Sequence, residues 1–304
     1  MTFSVLPVPA MGAEDVVVAP DGTVYTGTED GTIWAVDPAN GSVRRVADTA
    51  GRPLGLEFFD DGDLLVCDAR RGLLRVSTQT GAVEVLCDRV EGQAMKFCNN
   101  AAIASDGTIW FSDSSRQYAI EQWKDDFVQD TRTGRLVRLD PDGTVAVVLA
   151  DLAFANGVAI AADESFVCVA ETRARTVVRL WLTGPRTGER DLLVGGLPGY
   201  PDNISRGSDG LIWVTISSPV DGLVERLGSA PMVLRRAVTK IPEALQPKPK
   251  NTIRVQAYAD DGRLVHDLDI DHSGYHMVTG VREHHGRVWM GSLHEPALAV
   301  HDLA

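Results

Sequence analysis

Apolar residues along this chain come in short runs rich in Val, Ile and Leu, each ended by a turn built on Asp, Gly or Pro. That pattern favours strands over helices. One unit, a turn followed by an apolar strand, recurs six times. It reads Asp21-Gly22-Thr23-Val24-Tyr25, Asp61-Gly62-Asp63-Leu64-Leu65, Asp106-Gly107-Thr108-Ile109-Trp110, Asp163-Glu164-Ser165-Phe166-Val167, Asp209-Gly210-Leu211-Ile212-Trp213 and His285-Gly286-Arg287-Val288-Trp289. A short apolar segment precedes each turn, as at residues 16–18, 101–104 and 158–160, so every unit opens as a hairpin. Further strands are expected at residues 31–36, 72–76, 134–139, 176–181 and 252–257. Four strands per unit at a period of about 40 to 50 residues predict an all-β, six-bladed β-propeller, residues 1–304 forming one domain. Residues 297–300 read as the third strand of the last unit, which leaves its fourth to come from the N-terminus at residues 3–7 and so closes the ring.

Successive turns lie 40, 45, 57, 46 and 76 residues apart, so units three and five carry insertions, near residues 114–133 and 219–250. The first holds Tyr118, Trp123 and Phe127. In the second, residues 223–227 and 232–241 are expected to form an amphipathic helix that Pro247-Lys248-Pro249-Lys250 ends. Either insertion suits a packed surface excursion, a substrate lid or a membrane-surface helix.

In a propeller the first strand of every blade lines the central channel, so a fixed offset from each turn marks a ring of axial residues. Counting back seven positions gives Glu14, Leu54, Asn99, Asn156, Asp202 and Val278. Four of the six are hard oxygen donors, without Cys or His, which suits Ca²⁺ or another hard divalent cation better than zinc or copper. Such residues also cap strands and hydrogen-bond inside wet channels. Asp15 and Asn100 follow two of the donors and are candidates for a second, deeper cation. Two positions before the ring stand Gly12, Arg52, Phe97, Phe154, Tyr200 and His276, an aromatic mouth suited to a small molecule. There Arg52 is read as a substrate contact or a salt-bridged rim residue, and His276 as a proton shuttle or a packed side chain.

Composition narrows the function. The chain has 304 residues, 29 basic and 42 acidic, for a net charge of −13. With no basic cluster to displace counterions from phosphate, nucleic acid is not an expected partner. The four cysteines, Cys67, Cys87, Cys98 and Cys168, show no zinc spacing and are read as buried thiols. No signal peptide or transmembrane run is visible, so a soluble, cytoplasmic protein is expected. All seven histidines fall between His266 and His301, which excludes a histidine dyad from the early blades. There is no Gly-x-Ser-x-Gly elbow, and Ser114 and Ser115 read as turn residues.

The repeat, together with Gly51-Arg52-Pro53-Leu54-Gly55, Phe111-Ser112-Asp113-Ser114-Ser115, Asn156-Gly157-Val158, Val169-Ala170-Glu171-Thr172, Pro201-Asp202-Asn203-Ile204 and Glu283-His284-His285-Gly286, resembles the calcium-dependent propellers of the SMP-30, gluconolactonase and paraoxonase superfamily. Within it the chain is most similar to the strictosidine synthase-like branch containing adipocyte plasma membrane-associated protein. The resemblance implies metal ligands at Glu14, Asn99, Asn156 and Asp202, with Asp202 as nucleophile or water activator. It also marks departures. Leu54 and Ser114 occupy the positions of the paraoxonase histidine dyad, and the last-blade glutamate of true strictosidine synthases is replaced in the stretch Thr279-Gly280. The expected activity is Ca²⁺-dependent hydrolysis of lactones or aryl esters, with Asp202 and His276 catalytic and Arg52, Phe97, Phe154 and Tyr200 on the substrate. The rival readings are a condensation or cyclisation enzyme and a non-catalytic binding propeller with structural calcium.

Overall fold

The computed structural model describes residues 2–241 and 251–303. Among them are six four-stranded antiparallel sheets, the blades of the propeller. Their innermost strands are Val17–Val18, Pro53–Phe58, Cys98–Ile103, Ala155–Ile160, Gly199–Arg206 and Val278–His284, which number the blades one to six. Blade six takes its outer strand from the other end of the chain, Phe3–Pro7 pairing with Ala297–Asp302 in the register Phe3↔His301 to Pro7↔Ala297. The ring thus closes through backbone hydrogen bonds.

The hairpin turns explain the Asp-Gly repeat. In each of the first five the Asp carboxylate accepts from the backbone N–H two residues on, as Asp21 does from Thr23 at 2.9 Å and Asp106 from Thr108 at 2.8 Å. The next residue then turns into the left-handed region, where glycine pays no steric penalty. Gly22, Gly62, Gly107 and Gly210 sit there with φ of 81° to 88°, and Glu164 takes the same place with φ 55°.

Each blade packs its two faces on its neighbours. Among the described residues six clusters of buried apolar side chains accordingly fill the six blade-to-blade seams, and a seventh, of Leu54, Ala69, Phe97 and Phe154, lies at the mouth. Second strands such as Leu64–Asp68 and Ile109–Asp113 are buried throughout and read as continuous apolar runs, whereas outer strands such as Ser42–Asp48 alternate toward solvent.

Both insertions lie on the mouth side. The first carries helix α1, Trp123–Gln129. The second forms two helices rather than one, α2 at Gly222–Gly228 and α3 at Met232–Thr239, because Pro231 cannot continue the first. Asp221 caps α2 by accepting from the N–H groups of Leu223 and Val224. Arg235 of α3 donates to the carbonyl of Gln129 at the end of α1, tying the two insertions into one cap. The stretch Pro247-Lys248-Pro249-Lys250 lies outside the described residues.

Candidate active site

The innermost strands are not regular. In blades two to six the pairing register slips between Pro53 and Leu56, Cys98 and Ala101, Ala155 and Val158, Pro201 and Ile204, and Val278 and Val281. The two residues inside each irregularity are freed from the pleat, so both can face the axis. The first of each pair forms the upper ring: Leu54, Asn99, Asn156, Asp202 and Thr279, with Glu14 from blade one. All six line one cavity of about 450 Å³ under the helical cap.

The sixth position corrects the sequence count. His284 pairs directly with Arg287, so the last turn is the two-residue His285-Gly286, shorter than the others, and counting seven back lands one residue early. Thr279 replaces Val278 in the ring and Met277 replaces His276 at the mouth. His276 pairs with Glu295 through Nδ1. The imidazole on the cavity wall is His294, packed edge-on against His276 with centroids 5.8 Å apart. Burial, and then the charge of His276, hold its pKa below the ordinary histidine value.

The second residue of each pair forms a lower ring: Asp15, Gly55, Asn100, Gly157, Asn203 and Gly280, polar and glycine in strict alternation. The glycines are required by space. A Cβ on Gly55 would lie 2.6 Å from Asn100 Cα, on Gly157 2.0 Å from Ile204 N, and on Gly280 2.5 Å from Asp15 Cα. The polar side chains bridge the channel. Asp15 accepts from Leu56 N–H at 2.9 Å and Asn100 from Val158 N–H at 2.8 Å, while Asn100 donates to Asp15 at 3.4 Å. The second-cation candidates are thus already engaged in hydrogen bonds between blades.

The upper ring is different. Glu14 Oε2, Asn99 Oδ1 and Asn156 Oδ1 are buried and have no hydrogen-bond partner. Their other ends are pinned: Asn99 donates to Ser114 Oγ at 2.9 Å, Asn156 to Thr172 Oγ1 at 3.1 Å, and Glu14 Oε1 accepts from Asn203 at 3.2 Å. Ser114 in turn donates to the carbonyl of Ala155 at 2.7 Å. Burial pushes Glu14 well above the usual carboxylate range, reinforced by the charges of Asp202 and Asp15. Asp202, partly open to the cavity, is raised to about 7, chiefly by burial. A buried acceptor without a donor costs about 1–3 kcal/mol, so three on one ring with two strained carboxylates fit a hard cation of the kind oxygen ligands hold. Among the described residues no group of three or more His, Cys, Asp or Glu gathers at one point. The donor set here mixes two carboxylates with two amides.

Ser114 and Thr172 were not recognised as ring supports from sequence. Their signal is positional, each following the acid that closes a second strand, in Asp113-Ser114 and Glu171-Thr172. Above the ring the wall is apolar: Phe97 meets Phe154 edge-on at 5.5 Å and Phe127 of α1 meets Tyr200 at 4.9 Å. Tyr200 also donates to Glu225 of α2 at 3.1 Å, joining mouth to cap. Among the described residues no helix is long and apolar enough to cross a membrane.

Residues 28–229 match the family described as SMP-30/Gluconolactonase/LRE-like region, and residues 3–36 match the strictosidine synthase-like N-terminal family. Strictosidine synthase-like 10 of Arabidopsis thaliana is 33% identical over 97% of this chain and 86% of its own length. Adipocyte plasma membrane-associated protein of Rattus norvegicus is 31% identical over 94% and 81%. Among solved structures, a gluconolactonase from Xanthomonas campestris superposes with a TM-score of 0.73 at 18% identity, covering 99% of this chain and 89% of that one. A calcium-binding regucalcin from Agrobacterium tumefaciens gives 0.67 at 15%, covering 97% and 90%. At these identities the structures speak for the fold.

Proposed function

Because the chain belongs to the SMP-30/gluconolactonase/LRE-like family, we propose that it is a Ca²⁺-dependent hydrolase of lactones or aryl esters. The observation that carries this reading is the set of unpartnered buried oxygens on Glu14, Asn99 and Asn156, which with Asp202 form the floor of an apolar cavity. These four side chains would hold the cation, Ser114, Thr172 and Asn203 fixing their orientation. When bound, a divalent cation supplies the charge that polarises an acyl carbonyl.

The remaining chemistry belongs to the chain. Asp202 reaches into the cavity and acts on the acyl carbon directly or as the base that takes a proton from water. Hydrolysis adds one water across the acyl–oxygen bond, giving acid and alcohol. His294 exchanges the proton of the departing alkoxide, and the His276–Glu295 pair behind it keeps the ring in place. Phe97, Phe154 and Tyr200 bury the substrate body and exclude bulk water, while α1, α2 and α3 cover it.

The test is turnover of a panel of lactones and aryl esters by chelator-stripped protein, with and without added Ca²⁺. Activity is expected to return with calcium and to fall by about 10³-fold or more in Asp202→Asn, whose fold is retained. Full activity in that variant, or in the stripped protein, overturns the mechanism.

A further inference from the structure

Four arginines are buried: Arg52, Arg135, Arg173 and Arg179. Taking a guanidinium out of water costs several kcal/mol unless an opposite charge and hydrogen bonds compensate. Three of the four meet that requirement within the chain. Arg135 binds Asp113 at 2.9 Å, Arg173 binds Glu225 at 2.9 Å and Arg179 binds Asp191 at 2.8 Å.

Arg52 is the exception. It is 4% exposed and lines the cavity beside the upper ring. Its hydrogen bonds run from Nη1 to two neutral acceptors, the carbonyl of Gly12 at 3.1 Å and that of Pro53 at 3.4 Å. Among the described residues no carboxylate lies within the 4.0 Å of an ion pair. The surrounding charges are otherwise engaged. Asp68 accepts from Thr49 and from the backbone of Arg70 and Arg71, Glu29 is exposed, and Arg70 is paired with Glu121 at 2.8 Å. Glu14 belongs to the ring, where its charge answers the cation. The guanidinium therefore presents an unspent charge and unused N–H donors to a cavity whose walls are mostly apolar.

We infer that Arg52 anchors a carboxylate on the substrate, so that the site takes esters or lactones with an apolar body and one anionic group. A single guanidinium fork matches the planar, singly charged carboxylate in a bidentate pair, whereas a phosphate dianion calls for more donors than this wall offers. The apolar surroundings equally disfavour a neutral polyhydroxylated lactone, whose hydroxyls would be stripped of water without replacement. This inference names the substrate class of the hydrolase reading and rests on it for the word ester, but not for the anion.

Binding separates the two. Calorimetric titration of the calcium-loaded protein with 4-phenylbutyrate and with its neutral twin 4-phenylbutyramide reads charge preference without turnover. The carboxylate is expected to bind about tenfold or more tightly, on the scale of a charge-assisted hydrogen-bonded pair. That preference is lost in Arg52→Gln and partly kept in Arg52→Lys, while the amide binds all three proteins within about threefold, which also reports an intact cavity. Equal affinities in the wild type overturn the proposal. So does a carboxylate affinity that survives Arg52→Gln but disappears with chelator, since the anion would then sit on the cation. If esters are turned over, the same substitution lowers kcat/KM for the anionic ester about tenfold more than for its neutral twin, the loss falling mainly on KM. If none is, the titration still decides the role of Arg52.

Discussion

Two rings carried by the same six blades, one residue apart in sequence, meet opposite fates. The lower ring, Asp15, Asn100 and Asn203 between three glycines, spends its polar atoms mostly on neighbouring blades, Asn203 Oδ1 being the one buried oxygen it leaves without a donor. The upper ring pins each amide at its nitrogen and leaves the oxygens of Asn99, Asn156 and Glu14 facing inward without donors. The lower ring behaves as a structural plug that locks the blades around the channel. The upper one stores an unmet electrostatic demand, which is how a binding site differs from a well-satisfied core. The same contrast separates Arg52 from the other buried arginines.

The sharpest way to break the distinction is steric. Gly157→Ala forces a Cβ into the backbone of blade five, where Gly22→Ala meets nothing within 4 Å and suffers only its left-handed φ of 88°. Chemical denaturation should show a loss of about 3 kcal/mol or more for the first and about 1 kcal/mol for the second. Similar losses for both would mean the plug is not close-packed.

A paired substitution comes next. Asn100→Ala removes the acceptor of Val158 N–H and should cost about 2 kcal/mol of stability with little change in calcium affinity. Ser114→Ala frees the Asn99 amide and leaves the Ala155 carbonyl without its donor, so it should cost a similar amount of stability but, unlike Asn100→Ala, weaken calcium binding about tenfold. Calcium titration expects one tight equivalent. A second equivalent lost in Asn100→Ala would make the lower ring a cation site as well and erase the contrast.

The smallest effect lies outside both rings. Asp191, hydrogen-bonded to Arg179 and then to Arg186, is held down to about 2. Because the folded value lies below the unfolded one near 3.9, its contribution is complete above about pH 4 and disappears as the pH falls toward 2. The stability difference between wild type and Asp191→Asn, modest for a partly exposed group, should shrink across that window. A difference independent of pH would rule out the ion pair as its source.

How far the fold was legible follows from the range of the forces involved. An Asp that accepts from the N–H two residues on and a residue, usually Gly, that turns left-handed act within four residues, so all six hairpins announced themselves, five of them with that Asp. The sixth turn has only two residues, and the count slipped by one, substituting Val278 for Thr279 and His276 for Met277. His294 escaped notice because the cavity reaches it through space rather than through the repeat. The helix expected over the second insertion divided at Pro231, a local rule that sequence reading passed over.

By itself, then, the sequence determined the propeller, its closure by the N-terminal strand, and four oxygen-bearing side chains at one offset, since periodic hairpins and alternating strands are encoded by near neighbours. Tertiary structure decided which of those oxygens have partners, that both residues of each strand irregularity reach the channel, and that Arg52 alone among the buried arginines has no carboxylate. Those are properties of packing. Whether a buried charge or acceptor is satisfied depends on blades tens to hundreds of residues away, brought together only when the ring closes.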